Sequence, residues 1–214
     1  MSSIISIVGV SKSGKTTLIE KLVRELKSRG YQAATIKHAP EGMTLDQPEK
    51  DSWRHIKAGS EATAVISQDR VALIKPVAAD VTLDEIAYLF GEDYDIILAE
   101  GFKQDKAPKI EVHRRENGPP LSNISKLIAI ATDESLETKT RQFSLDGVKG
   151  LVDLLEEGFI KPQKETLSLY VNNVPITLST FLRDFISNVL VSMASCLKGV
   201  GKIRSLKFFL RKGG

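Results

Sequence analysis

Cysteine is almost missing: among 214 residues only Cys196 is one. A lone thiol excludes an intramolecular disulfide framework and any zinc site built from several cysteines, and it suits a reducing compartment. No apolar run is long enough to cross a bilayer, because Arg183-Asp184 and several Ser and Asn positions interrupt the richest stretch, Phe181 to Leu197. The first apolar run has no basic segment before it and no cleavage site after it, so a secretory signal is not expected and a cytoplasmic chain is. Excess charge is also scarce. The formal net charge is +3, too small to argue for a nucleic-acid partner. Residues 165–214 nevertheless carry seven Lys/Arg against two Asp/Glu, so the tail is basic and the main body is not. There is no internal repeat and no low-complexity tract.

What the chain does contain is concentrated near its start. Gly9-Val10-Ser11-Lys12-Ser13-Gly14-Lys15-Thr16 is a complete G-x-x-x-x-G-K-[ST] phosphate-binding loop. Ile4-Ile5-Ser6-Ile7-Val8 leads into it as a buried strand, and Thr17 to Leu26 leaves it as an amphipathic helix with Leu18, Leu22 and Leu26 on one face. Strand, loop and helix form the context that gives the motif meaning. The glycines let backbone N–H groups turn inward around phosphate oxygens, and the helix N-terminus adds partial positive charge. Lys15 is then the residue for the β- and γ-phosphates, the Thr16 hydroxyl a ligand for Mg²⁺, and Ser11, Ser13 and Thr17 further members of the loop and first turn.

Ser28-Arg29-Gly30 ends that helix, and Tyr31 to His38 reads as a second strand, so a parallel sheet is expected. Residues 39–50 form a polar loop, and Asp51 to Ala58 a short helix with Asp51 or Ser52 as N-cap. Ala62–Ser67 and Val71–Lys75 suggest a hairpin, and Thr82 to Phe90 a helix opened by a Thr82–Glu85 capping box. Tyr94 to Glu100 is a buried strand with an acid near each end. At about 3.3 Å per residue Asp95 and Glu100 stand roughly 16 Å apart, and only Glu100 reaches the carboxyl edge where ligands sit. Glu100 is therefore the carboxylate expected beside Mg²⁺, and Asp95 a solvated strand start. Strands are expected at Ala107–Val112 and Lys126–Ala131, and a helix over residues 146–158.

Beyond a linker at residues 161–164 the composition changes. Leu167–Val171 and Val174–Leu178 flank Asn172-Asn173 as a hairpin, Ser179 or Thr180 caps a helix that ends at Gly199, and Ile203 to Arg211 reads as a basic strand. The helix stripe Leu182, Phe185, Ile186, Val189, Leu190, Met193 and Leu197 is expected to pack on a small sheet. The fold class is α/β: a P-loop NTPase fold with a mostly parallel sheet flanked by helices over residues 1–161, and a small ββαβ extension over 165–214.

Several strings, in order, resemble the MobB family, the GTP-binding adaptors of molybdopterin-guanine dinucleotide biosynthesis. They are the phosphate loop, Ile36-Lys37-His38, Asp46-Gln47-Pro48-Glu49-Lys50-Asp51-Ser52, Ala58-Gly59, Glu100-Gly101-Phe102-Lys103 and Pro108 to Val112. The resemblance covers residues 4 to 158 and implies a cytoplasmic, homodimeric GTPase of low intrinsic activity. It implies action with a MobA-type guanylyltransferase, GTP and Mg²⁺ as ligands, and molybdopterin as a candidate second ligand. Gly9, Ser13, Gly14, Lys15, Thr16 and Thr17 fall on the family's loop, Lys37 and His38 on its basic pair, Asp46 and Asp51 on its acidic loop. The chain departs from the family where it has Ala39-Pro40-Glu41 in place of further histidines, and Pro48-Glu49-Lys50 in place of Pro-Gly-Lys.

Read as residues alone, Lys37 can meet phosphate charge, and His38 either bridges to a ligand or caps its strand. Asp51 is either an N-cap or a carboxylate near Mg²⁺. Asp133, ending a strand, could accept hydrogen bonds from guanine; His113, followed by Arg114-Arg115, either joins an anion-binding patch or lies at a solvated edge, and the edge is the expectation. No arginine finger can be named, so weak turnover is expected. Two other functions compete: a P-loop small-molecule kinase, which needs arginines on a lid, and a metallochaperone-type GTPase, which needs paired Cys or His ligands.

Overall fold

The computed structural model describes residues 3–39, 49–78, 80–91, 93–161, 167, 169–172 and 174–201, with 203, 206, 208 and 210. It divides into two compact units, residues 2–162 and residues 163–214.

In the larger unit a six-stranded, wholly parallel sheet has the order β2-β5-β1-β6-β7-β8. The strands are β1 (Ser3–Val8), β2 (Ala33–Lys37), β5 (Ile96–Glu100), β6 (Lys109–Val112), β7 (Leu127–Thr132) and β8 (Arg141–Ser144). Strand β1 sits in the interior, which is why Ile4, Ile5, Ile7 and Val8 are all apolar, with a buried Ser6 among them: both faces of a central parallel strand are covered. On one face lie α1 (Lys15–Ser28) and α4 (Val148–Leu155), packing Leu18, Leu22, Leu26, Leu151, Val152 and Leu155 against Ile5, Ile7, Ile96, Leu98, Ile110 and Val112. On the other face α3 (Leu83–Tyr88) brings Leu83 and Ala87 against Ile4, Ala34, Ile36, Ile97 and Ala99.

Local chemistry sets the ends of these elements. Gly30, at φ 87°, closes α1, with the Tyr31 N–H donating to the Leu26 carbonyl and the Gly30 N–H to the Lys27 carbonyl. The Thr82–Glu85 capping box forms as expected from the sequence, its two reciprocal bonds at 2.8 and 3.2 Å. The N-cap of α2 (Asp51–Lys57) is Lys50, not Asp51 or Ser52, and no side chain caps that helix. Asp95 is no mere solvated residue: its carboxylate accepts the Gln32 N–H at 2.7 Å and its own N–H donates to the Gln32 carbonyl at 2.8 Å, pinning the start of β2.

The hairpin β3 (Thr63–Ile66) and β4 (Val71–Ile74) is antiparallel and pairs with no other strand among the described residues. Its Val65, Ile66, Val71 and Leu73 are all exposed. Strand β8 was not expected. It is a polar edge strand whose one inward residue, Phe143, packs on Gly150 of α4, too short a pattern to register as alternation.

In the smaller unit β9 (Leu169–Val171) and β10 (Val174–Ile176) form the expected hairpin, followed by α5 (Thr180–Ser195) with Ser179 as its cap. One expectation fails here. No residue of α5 is buried, and Leu182, Phe185, Val189 and Met193 are exposed, because a three-residue hairpin offers too little apolar surface to cover a four-turn stripe. Of the expected last strand, the described residues Ile203, Leu206, Phe208 and Leu210 carry no strand pairing. Of the expected linker at 161–164, residues 162–164 lie outside the described residues.

Candidate functional site

The phosphate loop leaves the carboxyl end of β1 and enters α1 directly. Two of its positions require glycine. At Gly9, with φ 154°, a Cβ would lie 2.5 Å from the Val112 carbonyl oxygen and 2.6 Å from the Ser13 hydroxyl. Gly14, at φ 99°, is the left-handed N-cap of α1. No cap side chain satisfies the first-turn N–H groups, and no acid stands in that turn. Those donors and the helix's partial positive charge therefore face outward for an anion. Ser13 is fully buried beneath the loop, and its hydroxyl has no hydrogen-bond partner among the described residues. Ser11 and Thr17 are exposed on the rim.

Lys15 turns back on the loop itself. Its Nζ donates to the Val10 carbonyl at 2.6 Å and to the Gly9 carbonyl at 3.4 Å. Burial holds its pKa below the ordinary lysine value; the Glu100 carboxylate opposes that, while Lys103 and Lys37 reinforce it. An ammonium that is partly desolvated and crowded by other cations is short of negative charge, which a polyphosphate supplies.

Across the cleft Glu100 is the last residue of β5, and register places it level with Ile7 of β1 and Lys37 of β2. Thr16 Oγ1 donates to Glu100 Oε2 at 2.9 Å, and Lys37 Nζ lies 3.6 Å from Glu100 Oε1. Thr16 and Glu100 together offer only oxygen donors. That chemistry fits Mg²⁺, a hard cation which takes one or two protein groups and fills its shell with phosphate and water oxygens. Among the described residues no group of three or more His, Cys, Asp or Glu converges to hold a metal unaided.

His38 and Asp51 do not join this pair. The His38 N–H donates to the Glu100 carbonyl at 3.2 Å, but its ring turns to Phe102, 5.2 Å between centroids. The Asp51 carboxylate is 91% exposed and faces Arg54 at 3.8 Å on its own helix. Asp46 lies outside the described residues. Glu49, where the family pattern has glycine, adopts φ 73°, a conformation glycine takes without strain.

On the other side of β1, Asp133 follows β7 at the carboxyl edge. Its Oδ1 accepts the Arg115 N–H at 2.9 Å, and its Oδ2 lies 3.8 Å from Arg114 Nη1. The sequence offers Arg114 only as half of a basic pair beside His113, with no contact assigned; in the structure its Nε donates to the Ser13 carbonyl of the phosphate loop at 3.0 Å. The available signal was its place just past β6, the neighbour of β1, at the ligand edge of the sheet. His113 is not at a solvated edge: it is 3% exposed, with Nε2 2.7 Å from Glu134 Oε1.

Comparison with known proteins agrees with this geometry. The family described as "Molybdopterin guanine dinucleotide synthesis protein B", MobB, matches residues 4–133. The molybdopterin-guanine dinucleotide biosynthesis adapter protein of Haemophilus influenzae is 37% identical over 155 residues, covering 72% of this chain and 87% of that one. Its Escherichia coli namesake is 35% identical over 164 residues, 73% of this chain and 93% of that one. Among solved structures, the MobB homolog from Bacillus stearothermophilus superposes with a TM-score of 0.55 at 26% identity, over 72% of this chain and 98% of that one. Bacillus subtilis MobB gives 0.57 at 28%, over 73% and 98%. With a family model matched over residues 4–133 and a relative 37% identical across 72% of the chain, this chain belongs to the MobB family.

Proposed function

We propose that this protein is a GTP-binding adapter, a weak Mg²⁺-dependent GTPase, that assists guanylation of molybdopterin to the guanine dinucleotide form. The role is that of the relatives named molybdopterin-guanine dinucleotide biosynthesis adapter proteins. The observation that carries the nucleotide reading is the facing of two half-sites: an uncapped helix start with Lys15, and the Thr16–Glu100 oxygen pair 2.9 Å apart.

In this reading the loop N–H groups and Lys15 bind the β- and γ-phosphates, and Lys37 adds a second cation. Mg²⁺, when bound, neutralises charge on the phosphate oxygens as the terminal phosphoryl group is displaced. Glu100 orients the attacking water, and Asp133 accepts from guanine's N1–H and amine. Arg114 is committed to the Ser13 carbonyl of the loop at 3.0 Å, and slow turnover is the expected behaviour of a site whose transition-state charge no further arginine is assigned to meet.

The partner is a MobA-type guanylyltransferase in the cytoplasm. The protein works as a homodimer, supported by the hairpin β3–β4, whose exposed Val65, Ile66, Val71 and Leu73 make an apolar ribbon that a second copy would cover. Titration calorimetry with GTP and ATP, with and without Mg²⁺, tests the proposal. GTP preference that depends on Mg²⁺ is expected; ATP preference with phosphate transfer to a small acceptor would overturn it.

A further inference from the structure

Ser13 is the loop residue whose carbonyl the rest of the protein grips. Its C=O shares one rigid peptide plane with the Gly14 N–H, so whatever fixes the carbonyl also fixes the opposite direction in which that N–H points. Arg114 is what fixes it, through Nε at 3.0 Å, and its Nη2 lies 3.6 Å from where a Gly14 Cβ would stand. The same guanidinium faces Asp133 Oδ2 at 3.8 Å, while the Arg115 N–H holds Asp133 Oδ1 at 2.9 Å. Arg114 and Arg115 are adjacent, so both oxygens of Asp133 are referred to one short segment past β6.

We propose that Arg114 is a positioning residue that couples the base end of the nucleotide site to its phosphate end, one planar guanidinium bracing the Ser13–Gly14 peptide and aligning the Asp133 carboxylate. The inference rests on the nucleotide reading above, with Asp133 at the base, and adds a residue that acts on both ends through its neighbours. Arginine suits the task where lysine does not. Its donors form a fixed fork that serves two acceptors at a set angle, whereas an ammonium on a flexible stem holds its donors in no fixed relation to them. The consequence is that losing Arg114 harms two separable properties, the grip on phosphates and the discrimination between bases.

The test is calorimetry at fixed Mg²⁺ with three probes: GTP, ITP, which lacks the exocyclic amine, and inorganic tripolyphosphate, which has no base. The proteins are the full chain and its Arg114→Ala, Arg114→Lys, Asp133→Ala and Arg114→Ala/Asp133→Ala variants. Arg114→Ala should weaken tripolyphosphate about tenfold, the size of one charged hydrogen bond, and should also lower the GTP:ITP affinity ratio to that of Asp133→Ala. In the Asp133→Ala background it should weaken tripolyphosphate again but leave the ratio where it is. Arg114→Lys should recover part of the tripolyphosphate affinity and none of the ratio.

If Arg114→Ala leaves affinities unchanged, or weakens all three probes by one common factor, Arg114 is a prop for the loop and the coupling is refuted. Should Arg114→Ala fold poorly, the Arg114→Lys ratio decides alone. Failure of the parent reading looks different: the unaltered protein would bind neither GTP nor tripolyphosphate, or would bind both while showing no preference for GTP over ITP.

Discussion

Lys15→Ala separates what the phosphate loop does for the nucleotide from what it does for the fold. Without ligand the ammonium donates to the Val10 and Gly9 carbonyls, and Val10 is only half-buried, so water can replace the donor. Burial lowers the Lys15 pKa, so folding disfavours its charged form. The sign follows: the folded state binds fewer protons, and stability rises with pH between the lowered value and the ordinary 10.5. Below that window the charge carries its full cost, and alanine removes it. The expected change in melting temperature near neutral pH is therefore small, within about 2 °C, and not necessarily downward. Binding should behave oppositely. Charge-assisted bonds to phosphate contribute about 1.5–3 kcal/mol each, so losing them should raise the GTP dissociation constant on the order of 100-fold or more. Calorimetry and thermal unfolding on the same preparation read both quantities. A melting temperature lower by about 4 °C or more would show that Lys15 holds the loop together, and an unchanged dissociation constant would place the phosphates elsewhere.

Glu100→Gln keeps the side chain's size but removes the charge that faces Thr16 and Lys37. The Mg²⁺ concentration needed for half-maximal GTP binding should rise about tenfold or more, with Mg²⁺-free binding little changed; equal loss in both conditions would dissociate Glu100 from the metal. Gly9→Ala forces a methyl against the Val112 carbonyl of β6, a neighbour fixed in the sheet, so it should cost about 1–3 kcal/mol of stability and abolish nucleotide binding. Full GTP affinity in that variant would show the loop to be pliant. Glu156 has its pKa pulled to about 2 by hydrogen bonds from Lys161, Arg29 and Tyr31. A lowered carboxyl pKa stabilises above its unfolded value of 4.5 and loses that contribution as pH falls toward 2. Glu156→Gln should thus melt below the parent at pH 7 and converge with it by about pH 2, a trend that circular dichroism melts at stepped pH would check.

The parts of this protein that could be read from sequence are those whose physics is local. The loop motif, the Thr82–Glu85 box and the glycine stop after α1 each depend on residues within a few positions of one another, and each forms as the sequence indicates. Strand β8 was illegible because Phe143 alone turns inward and the rest of the strand is polar. The α5 stripe misled for the converse reason. Periodicity marks a face that wants covering, and says nothing about whether a partner large enough to cover it is nearby. Arg114 and His113 could not be told apart from sequence for want of one piece of knowledge, the side of the sheet to which each strand's odd and even residues point.

That knowledge organises the whole site. Ile96 and Leu98 of β5 point to the α1 face, so Glu100, two residues on, points there too, where Thr16 begins the helix. In β2, Ala34 and Ile36 point to the opposite face, which leaves Lys37 on the α1 side with Glu100 and sends His38 away to Phe102. Val112 of β6 and Ala131 of β7 face α1, so Arg114 and Asp133 emerge above that face to meet each other and Ser13, while His113 and Glu134 pair on the other side. Four strands thus deliver Lys37, Glu100, Arg114 and Asp133 to one rim by a period of two. A slip of one residue in any of them would substitute a neighbour of opposite orientation: Ala99 for Glu100, Ile36 for Lys37, His113 for Arg114. Register in the parallel sheet, more than the identity of any loop outside it, is therefore what assembles the chemistry around the phosphate loop.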